Sequence, residues 1–106
     1  MRQNKFTLKF TRKAYGDLDE IYGYISRELY NEDAASNHLN KIEASIMRLR
    51  DFPFSCNYVR DETLKSKGYR KLIVENYIVF HLVNEAEREV VVMRVLYGKK
   101  NYQDFI

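Results

Sequence analysis

The longest patterned stretch runs from Gly68 to Asn101 and reads GYRKLIVENYIVFHLVNEAEREVVVMRVLYGKKN. Three apolar segments, Tyr69–Val74, Tyr77–Asn84 and Val90–Leu96, are separated by short polar ones. β-branched and aromatic residues dominate all three, so the pattern predicts a three-stranded β-meander. Glu75-Asn76 leaves room for a two-residue turn, with Asn76 as the residue that tolerates a positive φ. Asn84–Arg88 is polar and forms the second, looser turn. Alternation places Tyr77, Val79, His81 and Val83 on one face of the middle strand, and Ile78, Phe80 and Leu82 on the other. The last strand divides into Val90, Val92, Arg94, Leu96 and Val91, Met93, Val95, Tyr97. Both faces are largely apolar, which predicts that at least the central strand is covered on both sides.

Upstream, Lys5–Phe10 alternates strictly, with Phe6, Leu8 and Phe10 against Lys5, Thr7 and Lys9, and predicts a half-buried strand. Thr11 follows as a helix cap. Leu18, Ile21, Tyr22, Ile25 and Leu29 recur at helical spacing. Asp17, Asp19 and Glu20 fall in the early turns, where the helix dipole favours anions. Gly16 and Gly23 each weaken that helix by roughly 1 kcal/mol relative to Ala, so tertiary contact has to stabilise it. Tyr15, Tyr22 and Tyr24 read as partly buried rings with wet hydroxyls.

Tyr30–Asp33 breaks the period, and Asn31 or Asp33 caps a second helix through about Asp51. Its seam is Ala35, Leu39, Ile42, Ile46 and Leu49, which predicts an antiparallel helical hairpin resting on the sheet. Pro53 ends it. Ser55–Ser66 shows no clear period and holds at most a short strand or turn around Tyr58-Val59. Gly68 stands where a positive φ is needed before the meander. Gly98 is a turn, and Asn101–Ile106 forms a short helix or a strand-like tail.

These elements predict an α+β fold: an N-terminal strand, then an antiparallel helical hairpin packed on a mainly antiparallel sheet that ends in the meander. With 106 residues, one domain spanning 1–106 is expected. The single Cys56 excludes an internal disulfide and fits a reducing, cytoplasmic setting. No apolar run is long enough for a membrane span, and no signal peptide is expected at the start.

Net charge is only +3, but it is unevenly spread. Arg60 to Lys100 carries nine basic and six acidic residues, whereas Arg12 to Asp51 carries six basic and eight acidic. An anionic partner would therefore prefer the sheet half. Lys65, Lys67, Arg70 and Lys71 lead into the meander; Lys99 and Lys100 lead out, flanked by Tyr97 and Tyr102. Cations interleaved with rings suit phosphates and unstacked bases. A solvated sheet edge is the plainer reading of the same residues.

Glycine-rich phosphate loops, zinc spacings and nucleotide fingerprints are absent, so neither a cofactor nor a metal is expected. His38 reads as solvent-facing. His81 reads as a core or edge histidine rather than a base, since a base needs an orienting partner. Cys56 has no His nearby in sequence and reads as a bystander.

Taken together, the first aromatic-rich strand, AYGDLDEIYGYI, LRDFP, LKSKGYRKLIVENYIVFHLV and EVVVMRVLYGKKNY resemble the RelE/ParE superfamily of bacterial type II toxins. The GYR, NYIVF and RVLYGKK elements are its specific part. The resemblance implies a growth-inhibiting toxin of an addiction module, neutralised by a cognate antitoxin, and two alternative targets. ParE-like members poison DNA gyrase. RelE-like members cut messenger RNA on the ribosome without metal, the 2′-hydroxyl attacking the adjacent phosphate. An inactive member that only binds its antitoxin is a third alternative.

For the nuclease branch, the resemblance implies catalytic roles for Arg70 on the scissile phosphate, Lys100 as a second cation and Tyr102 as a stacking or acid/base ring. Lys65, Lys67, Arg70, Lys71, Tyr97, Lys99 and Lys100 form the implied target-binding set. The chain departs from that branch: it has no clear Glu–His pair, His81 precedes the usual histidine position by a strand, and the C-terminal cation is Lys rather than Arg. The long hairpin and RVLYGKKNY tail are closer to ParE. The reading requires that folding gather Arg70 and the Lys99-Lys100 corner into one positively charged lip.

Overall fold

A computed structural model describes residues 5–29, 31–99 and 102–106, with the backbone alone for Leu29 and Gln103. The elements are β1 (Thr7–Phe10), α1 (Arg12–Leu29), α2 (Glu32–Met47), α3 (Glu62–Ser66), β2 (Arg70–Val74), β3 (Tyr77–Asn84) and β4 (Glu89–Tyr97). Short 3-10 turns at Arg48–Arg50 and Tyr102–Asp104 complete them. The predicted strand, hairpin and meander are all present, and the sheet order is β1-β4-β3-β2. β1 runs parallel to β4, while the meander pairs are antiparallel.

Thr11 ends β1 and starts α1. Its hydroxyl oxygen accepts the Ala14 N–H at 3.0 Å and donates to the Met93 carbonyl at 2.8 Å. One side chain thus caps the helix and ties it to β4. Asn31 caps α2 by accepting the Ala34 N–H at 3.0 Å. Ala35, Ile42, Ile46 and Leu49 of the predicted seam are buried, and Leu39 is packed beside them. The hairpin covers one face of the sheet, with Ala14, Leu18, Ile21 and Ile25 of α1 against Val74, Tyr77, Val79, Val92 and Val95. The other face carries a second core of Val59, Leu64, Tyr69, Phe80 and Leu96, covered by Tyr102 and Ile106. The central strand is therefore buried on both sides, as its two apolar faces predict.

Four local expectations are corrected. The positive φ of the β2–β3 turn falls on Glu75 (55°), not Asn76, and a second on Arg88 (53°). The segment without a period contains α3, capped by the Asp61 side chain on the Leu64 N–H; five residues are too few to show a period. Asp17 is not a solvated charge at a helix start but is 6% exposed. The alternation of β4 is broken by a bulge: Phe80 faces Arg94 while His81 faces Val92, leaving Met93 as the extra residue. Val92 and Val95, three apart, consequently share the helix-covered core, and Leu96 goes to the other face.

Gly68 has the expected positive φ, 92°. At Gly98 the reason for glycine is closeness: an added Cβ would lie 3.2 Å from the Asn76 carbonyl oxygen. The Gly98 N–H donates to that oxygen at 2.8 Å.

The bulge and the early end of β1 leave part of the β4 edge without a strand partner. Asp17 fills the gap. Its carboxylate accepts Arg94 Nε and Nη2, both at 2.8 Å, and the Val95 N–H at 2.9 Å. The carboxylate holds the Arg94 pKa above its usual value despite burial. Removing Asp17 would leave a largely buried guanidinium and an unpaired backbone donor. Asp17→Ala is expected to lower stability by about 3 kcal/mol, with Asp17→Asn intermediate, in urea unfolding followed by circular dichroism.

Candidate functional site

The predicted cationic residues fall into two groups at opposite ends of β2. At one end, α3 carries Lys65 and Lys67, both exposed, directly ahead of Arg70. The Gly68 and Tyr69 amides bond back to the Lys65 and Leu64 carbonyls at 2.9 and 3.0 Å, which closes α3 onto the start of β2. At the other end, Tyr97 pairs with Tyr77, which itself pairs with Val74. Gly98 and Lys99 sit against the β2–β3 turn through the Gly98–Asn76 bond. Four residues of β2 separate Arg70 from that turn, roughly 13 Å of extended chain. The expected single lip is therefore not formed: Arg70 and Lys99 lie at opposite ends of the sheet. The register decides this, because antiparallel hairpins return the chain to its start only after two strands. Lys100 lies outside the described residues.

The two faces of the sheet divide the candidates again. Arg70 shares its strand face with Leu72 and Val74, which pack under the hairpin. Tyr102 covers the opposite face, with its ring 4.9 Å from that of Phe80. Lys71 and the exposed Ile73 alternate away from Arg70. The three residues with implied catalytic roles are thus not gathered: Arg70 and Tyr102 stand on opposite faces, and Tyr102 serves as a lid on the second core.

Arg70 has structural partners of its own. Nη1 donates to the Cys56 carbonyl at 2.6 Å. The guanidinium lies over the ring of Tyr58 at 4.1 Å and that of Phe54 at 5.3 Å. Each cation–ring contact contributes roughly 0.5–1 kcal/mol at such exposed sites. Together they pin the Phe52–Tyr58 segment against the start of β2, where Tyr58 bridges Arg70. Phe54 and Tyr58 remain half-exposed, so this end presents rings and cations side by side. Phe54 and Tyr58 were not singled out by the sequence reading; their spacing shows no period, and only the fold brings them to Arg70.

His81 is wholly buried, as its strand position suggests. Nδ1 lies 3.3 Å from the Val79 carbonyl, and Nε2 has no partner among the described residues. Burial, with a smaller contribution from the Arg70 charge, lowers its pKa to about 4. A proton acceptor that is both buried and off the surface cannot reach a substrate. His38, expected to face solvent, is half-buried with its ring 5.9 Å from Tyr77. At the far end, Tyr97 is 40% exposed and stands edge-on to Tyr77. Cys56 is a free thiol, partly exposed.

A family model described as the ParE toxin of the type II toxin-antitoxin system parDE matches residues 8–102. Among solved structures, the chain resembles one from the chromosomal ParDE toxin-antitoxin system of P. aeruginosa. There the TM-score is 0.74 at 23% identity, covering 91% of this chain and 99% of that one. It also resembles a chain of the RelBE2 toxin-antitoxin complex of Mycobacterium tuberculosis, with a TM-score of 0.60 at 19% identity, covering 88% and 98%. No curated protein matches the sequence. No helix of the described residues is long and apolar enough to cross a membrane.

The buried imidazole has a pH consequence. The unfolded chain takes up a proton near the ordinary histidine value, whereas the folded His81 refuses it until about pH 4. Stability is therefore fully present above the unfolded pKa and falls as pH drops below it. About 2 kcal/mol should be lost between roughly pH 7.5 and pH 5. Denaturant titrations across that range should show the slope in the native sequence and its reduction in His81→Leu.

Proposed function

The chain belongs to the ParE toxin family of type II toxin-antitoxin systems, and from that premise we propose that it arrests growth by inhibiting DNA gyrase until a cognate antitoxin neutralises it. One observation carries the choice of target: the groups that RNA cleavage would require stand apart. Attack of a 2′-hydroxyl needs a base, a cation on the phosphate and an acid for the leaving oxygen, all within hydrogen-bond reach of one phosphate. Here Arg70 donates to a backbone carbonyl, Tyr102 covers the opposite sheet face, and His81 is buried with no carboxylate to orient it. That separation supports a toxin that works by binding. In this reading Lys65, Lys67, Arg70 and Lys71 form one contact patch and Tyr97 and Lys99 another, with Lys100 added by its sequence position alone.

A second reading, a ribosome-dependent messenger RNA endonuclease, draws on the Arg70 end. Its exposed Phe54 and Tyr58 rings beside Lys65, Lys67 and Arg70 are the kind of surface that holds unpaired bases and phosphates. The two readings give opposite results in paired assays with purified protein. Gyrase inhibition predicts loss of supercoiling of relaxed plasmid, with ribosome-bound messenger left intact. Robust messenger cleavage that disappears in Arg70→Ala, with the far-ultraviolet dichroism unchanged, would overturn the gyrase assignment. Induced expression without growth arrest would instead indicate an inactive family member that binds its antitoxin.

A further inference from the structure

The outer edge of β2 is covered over only half of its length, and the geometry points to strand addition there by a partner segment that alternates acidic and apolar residues. This rests on the reading of the chain as a toxin neutralised by a protein partner; it adds where that partner docks and by what chemistry.

β2 pairs only with β3, in the register Val74↔Tyr77, Leu72↔Val79, Arg70↔His81. Across the two-residue turn, those residues direct their backbone groups to β3, and Lys71 and Ile73 turn theirs outward. The Lys71 N–H is taken by the Asn57 carbonyl at 3.1 Å, and the Tyr69 carbonyl by the Val59 N–H at 3.0 Å. The 57–59 segment thus shields the first half of the edge and then leaves it. Among the described residues, nothing bonds the Lys71 carbonyl or the N–H and carbonyl of Ile73. Three adjacent backbone groups in line ask for a backbone partner, which a strand supplies and a helix does not.

A hollow lies on either side of this edge. Toward α2, Lys41, Ala44, Ser45 and Arg48 face Val74 and Glu75 across about 440 Å³. Ala44 and Ser45 are small, so the helix leaves room beside the strand. Glu75, its one acid, lies 3.9 Å from Lys41, whereas Arg48 has no ionic partner among the described residues. On the other side, Ile73, Ile78 and Tyr97 line a shallower space of about 200 Å³. Ile73 is 64% exposed. A strand laid on this edge sends successive side chains to the two sides in turn. Carboxylates on the α2 side would meet Arg48 and Lys41; apolar residues on the other would cover Ile73. The expected occupant is therefore an extended segment in which acidic and apolar residues alternate.

The test uses the full chain and the protein encoded by the adjoining reading frame. In the complex, hydrogen–deuterium exchange should protect the Ile73 amide. Ile73→Pro, which removes an outward N–H at an edge where proline is tolerated, and the double change Lys41→Glu with Arg48→Glu should each weaken binding about tenfold or more. Binding with unchanged Ile73 exchange and unaffected variants would overturn the docking site and leave the toxin reading standing. Failure of the native chain to bind that protein would overturn both. Protection of Ile73 by self-association in the absence of the partner would assign the edge to a second copy and overturn the proposal.

Discussion

The architecture depends on one carboxylate. β1 is only four residues long and runs beside the first part of β4; beyond it, β4 has an open edge in the middle of the protein. A bare edge there would leave backbone donors and acceptors without partners, at a cost comparable to lost hydrogen bonds. α1 starts where β1 stops, and it brings Thr11 to the Met93 carbonyl and Asp17 to the Val95 amide. The same carboxylate holds Arg94 in a two-point grip, and Arg94 in turn donates to the Phe105 carbonyl at 2.7 Å. First helix, last strand and C-terminal segment therefore meet at one ion pair. Its desolvation is offset because each carboxylate oxygen has a donor and the guanidinium has two acceptors.

This junction also sets which face each end of the chain serves. The hairpin is fixed over one side of the sheet, and the Tyr102–Ile106 segment is drawn across the other, where Tyr102 and Ile106 close the core around Phe80. The cost is functional separation. A ring that completes a core is not free to stack on a base, and an arginine that pins a loop is not free to grip a phosphate. The chain thus resembles its nuclease relatives in fold while its polar groups are committed elsewhere. A toxin built this way depends on surfaces: a cation-and-ring patch at one end of β2, a tyrosine and lysine at the other, and an edge between them.

The helical hairpin, the three meander strands, the Thr11 and Asn31 caps and the Gly68 turn are legible in the sequence, because each rests on local chemistry: period, capping oxygen, φ preference. The buried state of His81 is legible too, from its apolar neighbours on one strand. The parallel placement of β1 beside β4 is not, since nothing within a four-residue strand specifies its partner. α3 is too short to announce itself. The β4 bulge leaves no mark in the alternating pattern, yet it shifts Val95 into the helix-side core.

The candidate site divides along the same line. The sequence by itself determined which residue types are available, their excess of positive charge in the sheet half, and the lack of a Glu–His pair. Tertiary structure alone decided that Arg70 and Lys99 stand at opposite ends, that Tyr102 faces away from Arg70, and that Asp17 is a buried clamp and not a solvated helix charge. The physical reason is that period and propensity act over a few neighbours, whereas strand register and sheet order set distances between residues far apart in the chain. Asp17 and Arg94 are 77 positions apart, and no local rule links them.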